Sequence, residues 1–583
     1  MKKVLFASGK IALVLLTVCQ LAIAQEATSA TQTTRSGALY RGFVTPPKSA
    51  RPRVWWHWMN GNITEKGIRE DLDWMHSVGI AGVTSINAAI QTPTVVKHRL
   101  AYMTPAWKDA FRLTTKLTDS LNMELNIDSS PGWSESGGPW VKPSQGMKKY
   151  AWSQIRINGG QLFNGKLPQP PETTGPFQNV PFQGRGSSNA NPNAKKPEYY
   201  KDVAVVAFKL PAIDKTLRSL QPKVTSSGGN FNLTSLTNGS FADTTLLPSF
   251  AVGQKAWIQY EFPQPKTFQS VTIGTIGGGR RFGRGSGGSN WALEVSNDGT
   301  TFRTVLEIPE GGVGQRTLTF EPVTAKYFRF SIKTPPPPPA GGMARMFGNS
   351  SPPKGTEISE FNLHTGPRVN RLADKAAFTP STGIYSMATR AIPASETVKK
   401  SDVIDLTSKM QKDGTLSWTP PPGNWMVLRI GYSLLGITNH PASAEATGLE
   451  VDKMSAADVD AYYTHYLNMY KSATGGMMGK KGLQYMTTDS WEAGAENWTE
   501  TMMQDFKDYT GYSMKPWLPV LAGYIVQSSQ ASDRFLWDFR QTIAHLIVKN
   551  HFRQLAKMLH ARGMGLYSES HESGRALIAD GMA

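Results

Sequence analysis

The sequence predicts an α/β plus β protein: a (β/α)8-type TIM barrel, incomplete in this chain and interrupted by an inserted β-sandwich region. Three observations carry that expectation. Apolar runs alternate with amphipathic helices from 51 to 149, the helical period disappears from 150 to 441, and the alternation returns from 442 to 583. Ahead of these lie a targeting segment at 1–24 and a linker at 25–50.

The elements follow in order. Lys2, Lys3 and Lys10 precede the mostly apolar run Ile11 to Ile23, and Ala22-Ile23-Ala24 reads as a small-residue cleavage site: a bacterial signal peptide. The run is too short for a stable membrane anchor, so no integral membrane segment is expected after its removal, and the address is periplasmic or secreted. Cys19 lies inside it, and Val18 is bulky where a lipoprotein needs a small residue. Val54-Trp55-Trp56-His57-Trp58 is a strand ended by Asn60-Gly61. Asn62 or Thr64 caps a helix carrying Ile68, Leu72 and Met75. Ile80 to Ile86 is the second strand, Pro105 to Leu121 the second helix, and Met123 to Ile127 the third strand. Short β-rich runs such as Val203 to Phe208 and Val271 to Ile276 fill the insertion, and Pro335 to Pro339 reads as a stiff loop. Beyond it come a helix at Ala456–Tyr470, a strand at Leu483–Thr488, helices at Thr499–Tyr509 and Ser532–Arg562, and a last strand at Leu566–Ser568. The helical Trp74 and Trp537 are expected in the core. Five strands, or six with Gly448 to Val451, fall short of the eight a closed barrel needs, which predicts a fragment of a longer protein.

Composition narrows the function classes. With 583 residues, 39% hydrophobic and 18% charged, the chain is globular and has room for about three domains. Gly 55 and Pro 38 suit a loop-rich β protein, and 16 Trp with 18 Tyr supply the flat rings of sugar-binding surfaces. A single cysteine excludes a disulfide framework and multi-cysteine metal sites. Removing the leader lowers the formal charge from +18 to +15. The basic residues are scattered, the densest groups being Arg280-Arg281-Arg284 and Lys195-Lys196, and no nucleic-acid motif is present, so no nucleic-acid partner is expected. A solvated basic surface is the simpler account of the charge; an acidic polysaccharide would feel the same field.

In a barrel of this type the reacting groups come from the carboxyl ends of the strands. The first strand offers His57, Trp58 and Asn60, and the third Asn126, Asp128, Trp133 and Glu135. The Leu483–Thr488 strand offers Asp489, Trp491 and Glu492, and the last Glu569, His571 and Glu572. Acids, amides and tryptophans at one rim suit a glycosidase, which needs one protonated carboxyl for the leaving oxygen and one carboxylate to activate water or attack carbon. Each residue has a duller account. Asp489 and Glu492 beside a helix start would satisfy free N–H groups, His57 would be a hydrogen-bonded core histidine, and either of Glu569 and Glu572 could be solvated.

At these residues the sequence resembles bacterial α-L-rhamnosidases of glycoside hydrolase family 106. The matching words are Trp55-Trp56-His57-Trp58-Met59-Asn60-Gly61-Asn62, Gly448-Leu449-Glu450-Val451-Asp452-Lys453, Asp489-Ser490-Trp491-Glu492-Ala493-Gly494, Phe535-Leu536-Trp537-Asp538-Phe539-Arg540 and Glu572-Ser573-Gly574. The middle of the insertion, 225–335, resembles a discoidin-like (factor 5/8 type C) carbohydrate-binding sandwich, through Trp257-Ile258-Gln259-Tyr260 and Leu293-Glu294-Val295-Ser296-Asn297-Asp298-Gly299 among others. The resemblance implies removal of terminal α-L-rhamnose from a rhamnose-containing oligo- or polysaccharide with inversion. It makes Glu492 one catalytic carboxylate and Glu572 the other, with Glu569 as rival. It also implies a calcium ion touching the sugar, for which Asp128 and Asp489 are the candidate ligands. His57, Trp58, Asn60, Asp128, Trp133, Asp489, Trp491 and His571 are the candidate substrate contacts.

Overall fold

The computed structural model describes residues 37–90, 92–181, 197–276, 290–309, 314–336, 354–379, 381 and 384–569. The expected leader with Cys19, both basic clusters, most of the proline run, and His571 and Glu572 lie outside the described residues.

Five strands, Arg53–Met59, Gly82–Ala88, Glu124–Asp128, Leu483–Thr488 and Gly565–Ser568, lie side by side in that order, every pair parallel. They are the five read from the sequence. Among the described residues the sheet is open, with Arg53–Met59 and Gly565–Ser568 at its edges. Gly448 to Val451 adds no sixth strand. Leu449, Glu450 and Val451 make isolated antiparallel bridges to Thr438, Gly137 and Gly146 instead. Gly448 is needed there because a Cβ would sit 2.1 Å from the Gly138 carbonyl carbon.

One face of this sheet is apolar and covered by helices. Thr64 accepts from Gly67 N–H to start Glu65–Ser77, which buries Ile68, Leu72 and Met75. Thr104 and Pro105 start Pro105–Ser120, which buries Trp107 and Phe111. Helix Ala456–Ala473 contributes Tyr462, Tyr463, Tyr466 and Tyr470 to the same core. Trp74 is 62% exposed, against expectation: it projects from the side of its helix opposite the Ile68–Leu72–Met75 stripe. Trp537 is only half-buried.

The opposite face is polar. Arg53 donates twice to Glu124, each bond 2.7 Å, and Tyr567 donates to the same carboxylate at 3.2 Å. One layer along, the Asn126 amide donates to Thr84 and Thr487.

The insertion is antiparallel. Ile404–Asp405, Tyr200–Lys209, Asn424–Leu434 and Lys148–Asn158 form a four-stranded sheet. Its apolar side packs against helix Ser529–Ile547 through Tyr150, Met426, Leu428, Phe535, Phe539 and Ile543. This sheet therefore shares its core with the chain beyond 441 rather than standing apart from it. A second, seven-stranded sheet centres on two long strands, Lys255–Ile276 and Gln315–Lys333. They pair along almost their whole length, with register shifts at Thr319/Val323 and Ala325/Tyr327. Lys255–Ile276 takes Lys223–Ser226 as its other partner near its start and Gly355–His364 near its end. Ile258, Tyr260, Phe268, Val271, Phe328 and Phe361 share one core between the two halves.

The long helix expected at Ser532–Arg562 is three pieces: Ser529–Ile547, a π-helical turn at Val548–Phe552, and Arg553–His560. No helix of the described residues is long and apolar enough to cross a membrane.

Candidate active site

The carboxyl ends of the parallel strands meet three loops. After Asp128 the chain runs through Ser129 to Gly137 and is tied down by Gly132 N–H to Asn87 O, 2.7 Å, and Trp133 N–H to His440 O, 3.0 Å. Gly132 has φ +81, and a Cβ there would lie 2.6 Å from the His440 carbonyl carbon, so the two loops touch backbone to backbone. Ser134 joins the segments. Its hydroxyl donates to Glu450 Oε1 at 2.5 Å and accepts from His440 N–H at 2.9 Å, and its carbonyl accepts from Glu492 N–H at 3.3 Å.

Five acids gather on this frame. Asp128 is buried; its Oδ1 accepts from Ser129 N–H at 2.9 Å, while Oδ2 is buried without a hydrogen-bond partner. Burial pushes its carboxyl well above the usual range, and the Asp489, Glu135 and Glu569 carboxylates push the same way. Glu135 is buried too, with Oε1 2.7 Å from His551 Nε2. Burial raises it to about 8 against the pull of Lys453. His551, in the π-helical turn, is lowered to about 3 by the same burial. Asp489 accepts from Ser490 N–H at 2.7 Å. Glu492 is partly exposed and places Oε2 3.8 Å from His440 Nε2. Glu569 follows the last strand and donates its N–H to Thr488 O at 2.9 Å, so Glu569 and Asp489 leave neighbouring strand ends.

Beneath this group lie ion pairs closed to solvent. Lys453 Nζ meets Glu450 Oε2 at 2.7 Å with both side chains wholly buried, and Lys148 Nζ meets Asp452 Oδ2 at 2.9 Å. Glu450 also accepts from Ser134 and Ser136, and these bonds with Lys453 hold it below its usual range although burial opposes them. The segment Gly448–Lys453, whose first four residues were expected as a strand, is the floor that fixes the Ser134 loop.

The sequence candidates divide on this geometry. His57 projects from the polar side of its strand, packs edge-on to Trp133 at 5.8 Å, and is lowered by burial while Asp489 opposes. His57, Trp133, Asp128, Asp489, Glu492 and Glu569 thus share one rim. Trp491 is buried behind it, its ring under Lys453 and edge-on to His551, with Nε1 on Gly494 O at 2.7 Å. Two candidates are corrected. Trp58 faces the helices and packs on Trp107 and Phe111 at 5.5 and 5.9 Å, because side chains alternate along the strand and its parity is that of Trp56. Asn60 sits in the left-handed region, φ 52, with its amide spent on Thr92 O at 2.8 Å, so it shapes the turn. Nor do Asp489 and Glu492 cap a helix; the next one begins at Met502. His440, His551, Glu450 and Lys453 escaped the sequence reading as site residues. Only a histidine inside an apolar helical stretch hinted at His551.

A calcium ion takes six to eight oxygens. The donors here are of the right kind, all oxygen, and Asp128 Oδ2 is buried and unsatisfied beside Asp489. Among the described residues no three His, Cys, Asp or Glu side chains cluster as a metal site.

Comparison with known proteins adds three findings. Residues 44–583 match the glycoside hydrolase family 106 described as alpha-L-rhamnosidase. The solved structure of a rhamnosidase from Novosphingobium sp. PP1Y superimposes with a TM-score of 0.80 at 39% identity, covering 94% of this chain and 48% of that one. A curated protein from Formosa agariphila, named as a beta-glucuronidase, is 25% identical over 526 residues, covering 90% of this chain and 30% of its own. The chain therefore spans half or less of the length of the relatives it matches. Its strands, its rim of acids and the match from residue 44 to 583 agree: the chain belongs to glycoside hydrolase family 106, the alpha-L-rhamnosidases.

Proposed function

We propose that the protein is an exported glycosidase that removes terminal α-L-rhamnose from glycans with inversion at the anomeric carbon. One observation supports this reading: Glu492 is tied to the loop after Asp128 by its N–H on Ser134 O at 3.3 Å, and the Asp128 carboxyl at that strand end feels the charges of Asp489, Glu135 and Glu569. In such a reaction one carboxyl gives its proton to the leaving oxygen as the bond to carbon breaks. The other takes a proton from the attacking water, and the two stand about 6.5–9.5 Å apart. Glu492 is one of the pair. Glu569 supports the second role among the described residues, with Glu572 three positions on as the alternative. Export rests on the leader at 1–24. The beta-glucuronidase relative favours a second reading, the same machinery with a different terminal sugar.

A calcium ion would be held by Asp128 and Asp489, where it would offset their mutual repulsion and bind sugar hydroxyls. The chain's own contribution is to keep the Asp128 carboxyl dry and aimed through its Ser129 bond.

The test is Glu492→Gln assayed on aryl α-L-rhamnoside and aryl β-glucuronide, with proton NMR of the released sugar. The expected result is a loss of turnover of about 10³-fold with rhamnose affinity retained. Undiminished turnover, or release of the retained anomer, overturns the proposal; glucuronide cleavage alone favours the second reading.

A further inference from the structure

Away from the rim, a cavity of about 530 Å³ opens where the four-stranded sheet meets the seven-stranded one. Residues distant in sequence build it: Gln154 and Arg156 from one sheet, Asn362 and His364 from the other, with Arg218, Arg368 and Tyr524 closing the sides. Four of its lining side chains are cationic, Arg156, Lys215, Arg218 and Arg368, and none of the lining residues is acidic. Segments more than 200 positions apart, from Arg156 to Arg368, bring these four cations to one space whose lining residues include no carboxylate.

The cations are held in place. Asp214, buried behind them, pairs with Arg156 at 2.8 Å and with Arg368 at 3.0 Å, so one carboxylate orients two guanidinium groups. The Arg368 guanidinium also lies over the Tyr524 ring at 4.6 Å. Arg218 is pinned separately, its Nε on Thr237 Oγ1 at 2.9 Å and its Nη2 on Thr234 O at 3.2 Å. Glu360 stands near Arg218, and burial raises its carboxyl to about 8, which weakens it as a counter-charge to that guanidinium. The remaining lining mixes amides and hydroxyls, among them Gln154, Asn238, Asn362 and Thr216, with the apolar faces of Leu217, Leu363, Met426 and Tyr524. Such a surface offers a polyol hydrogen bonds and an anion a fixed set of forked donors. The volume suits a short oligosaccharide.

We propose that this cavity is a second glycan site, which binds an acidic sugar residue carrying a carboxylate or sulfate, at a distance from the strand-end rim. The site would hold a polyanionic chain while its rhamnose branches are worked on elsewhere. That use rests on the proposed glycosidase reading, but the binding itself does not, since it is measured without hydrolysis.

Calorimetric titration of the full chain with three probes tests it: a trimer of galacturonate, a sulfated galactose trimer, and neutral cellotriose. Sodium sulfate alone is the fourth arm. Binding of one or both acidic trimers is expected, weakening as salt rises, with cellotriose at least about tenfold weaker. Which acidic trimer binds identifies the anion. Arg218→Ala and Lys215→Ala should each weaken that binding about tenfold. Both positions are exposed and neither holds Asp214, so thermal midpoints should stay unchanged, which separates lost binding from lost fold. Equal affinity for cellotriose, no binding of either acidic trimer, acidic binding untouched by both substitutions, or sulfate binding with no gain from the sugar would each overturn the proposal.

Discussion

The carboxyl of Glu135 meets Nε2 of His551 at 2.7 Å, and neither side chain is reached by solvent. The two come from a loop after the third strand and from a π-helical turn, a feature often found where a helix must aim one side chain at a site. Their ionisation gives the first prediction. His551, lowered from 6.5 to about 3, adds stability that is complete above pH 6.5 and is lost as pH falls toward 3. Glu135, raised from 4.5 to about 8, adds stability that is complete below pH 4.5 and gone once pH passes about 8. The sum is a plateau between these ordinary values with a decline on either side, each limb about 1.4 kcal/mol per pH unit at most. Urea unfolding across pH should show it, and Glu135→Gln should remove the alkaline limb and turn the plateau into a continued rise up to pH 6.5.

Lys453 and Glu450 supply the second. Removing one member of a wholly buried pair leaves the other unneutralised, so Lys453→Met should cost about 3–5 kcal/mol in urea unfolding. Adding Glu450→Gln should recover much of that loss. If the double variant is no more stable than the single one, the pair does not act as a unit.

Two tryptophans on one strand make the third. Trp58→Ala empties a packed core position and should cost about 3–5 kcal/mol. Trp55→Ala, at a side chain 51% exposed on the opposite face, should cost less than about 1 kcal/mol. Thermal or urea unfolding distinguishes them, and equal losses would place both faces in the core.

The fourth concerns the metal. Calcium should raise the thermal midpoint of the full chain in proportion to the logarithm of its concentration, and EDTA should reverse it. Asp128→Asn should abolish the calcium response while leaving the metal-free midpoint nearly unchanged, because the carboxyl it replaces is already held toward its neutral form. A calcium response that survives the substitution moves the metal elsewhere.

The strands were legible because each is a short apolar run closed by a turn signal; Leu483–Thr488 matches residue for residue. The first helix start was legible for the same local reason, Thr64 being one of the two caps expected there, whereas Thr104 ahead of Pro105 went unread as a cap. Gly448–Val451 misled because its apolar alternation is that of a strand, yet Glu450 and Val451 bridge to Gly137 and Gly146, more than 300 positions earlier, which no local pattern reveals. The rim acids Asp128, Asp489 and Glu492 stood out as strand-end residues. His440 and His551 did not, because a hydrogen bond spanning 416 positions leaves no periodicity to read. Trp58 was misplaced for a subtler reason: the run Trp55-Trp56-His57-Trp58 is aromatic at every position, so alternation could not say which rings face the helices.

The order of strands in the parallel sheet also has a kinetic consequence. Asp128 and Thr487 are partners in adjacent strands, although roughly 350 residues lie between their segments. Synthesis delivers the whole intervening region before Leu483–Thr488 leaves the ribosome, so the first three strands must wait with one edge unpaired. The central pairing of the sheet is then a late event, joining halves already shaped, and refolding in vitro should be limited by that meeting rather than by the formation of any single layer.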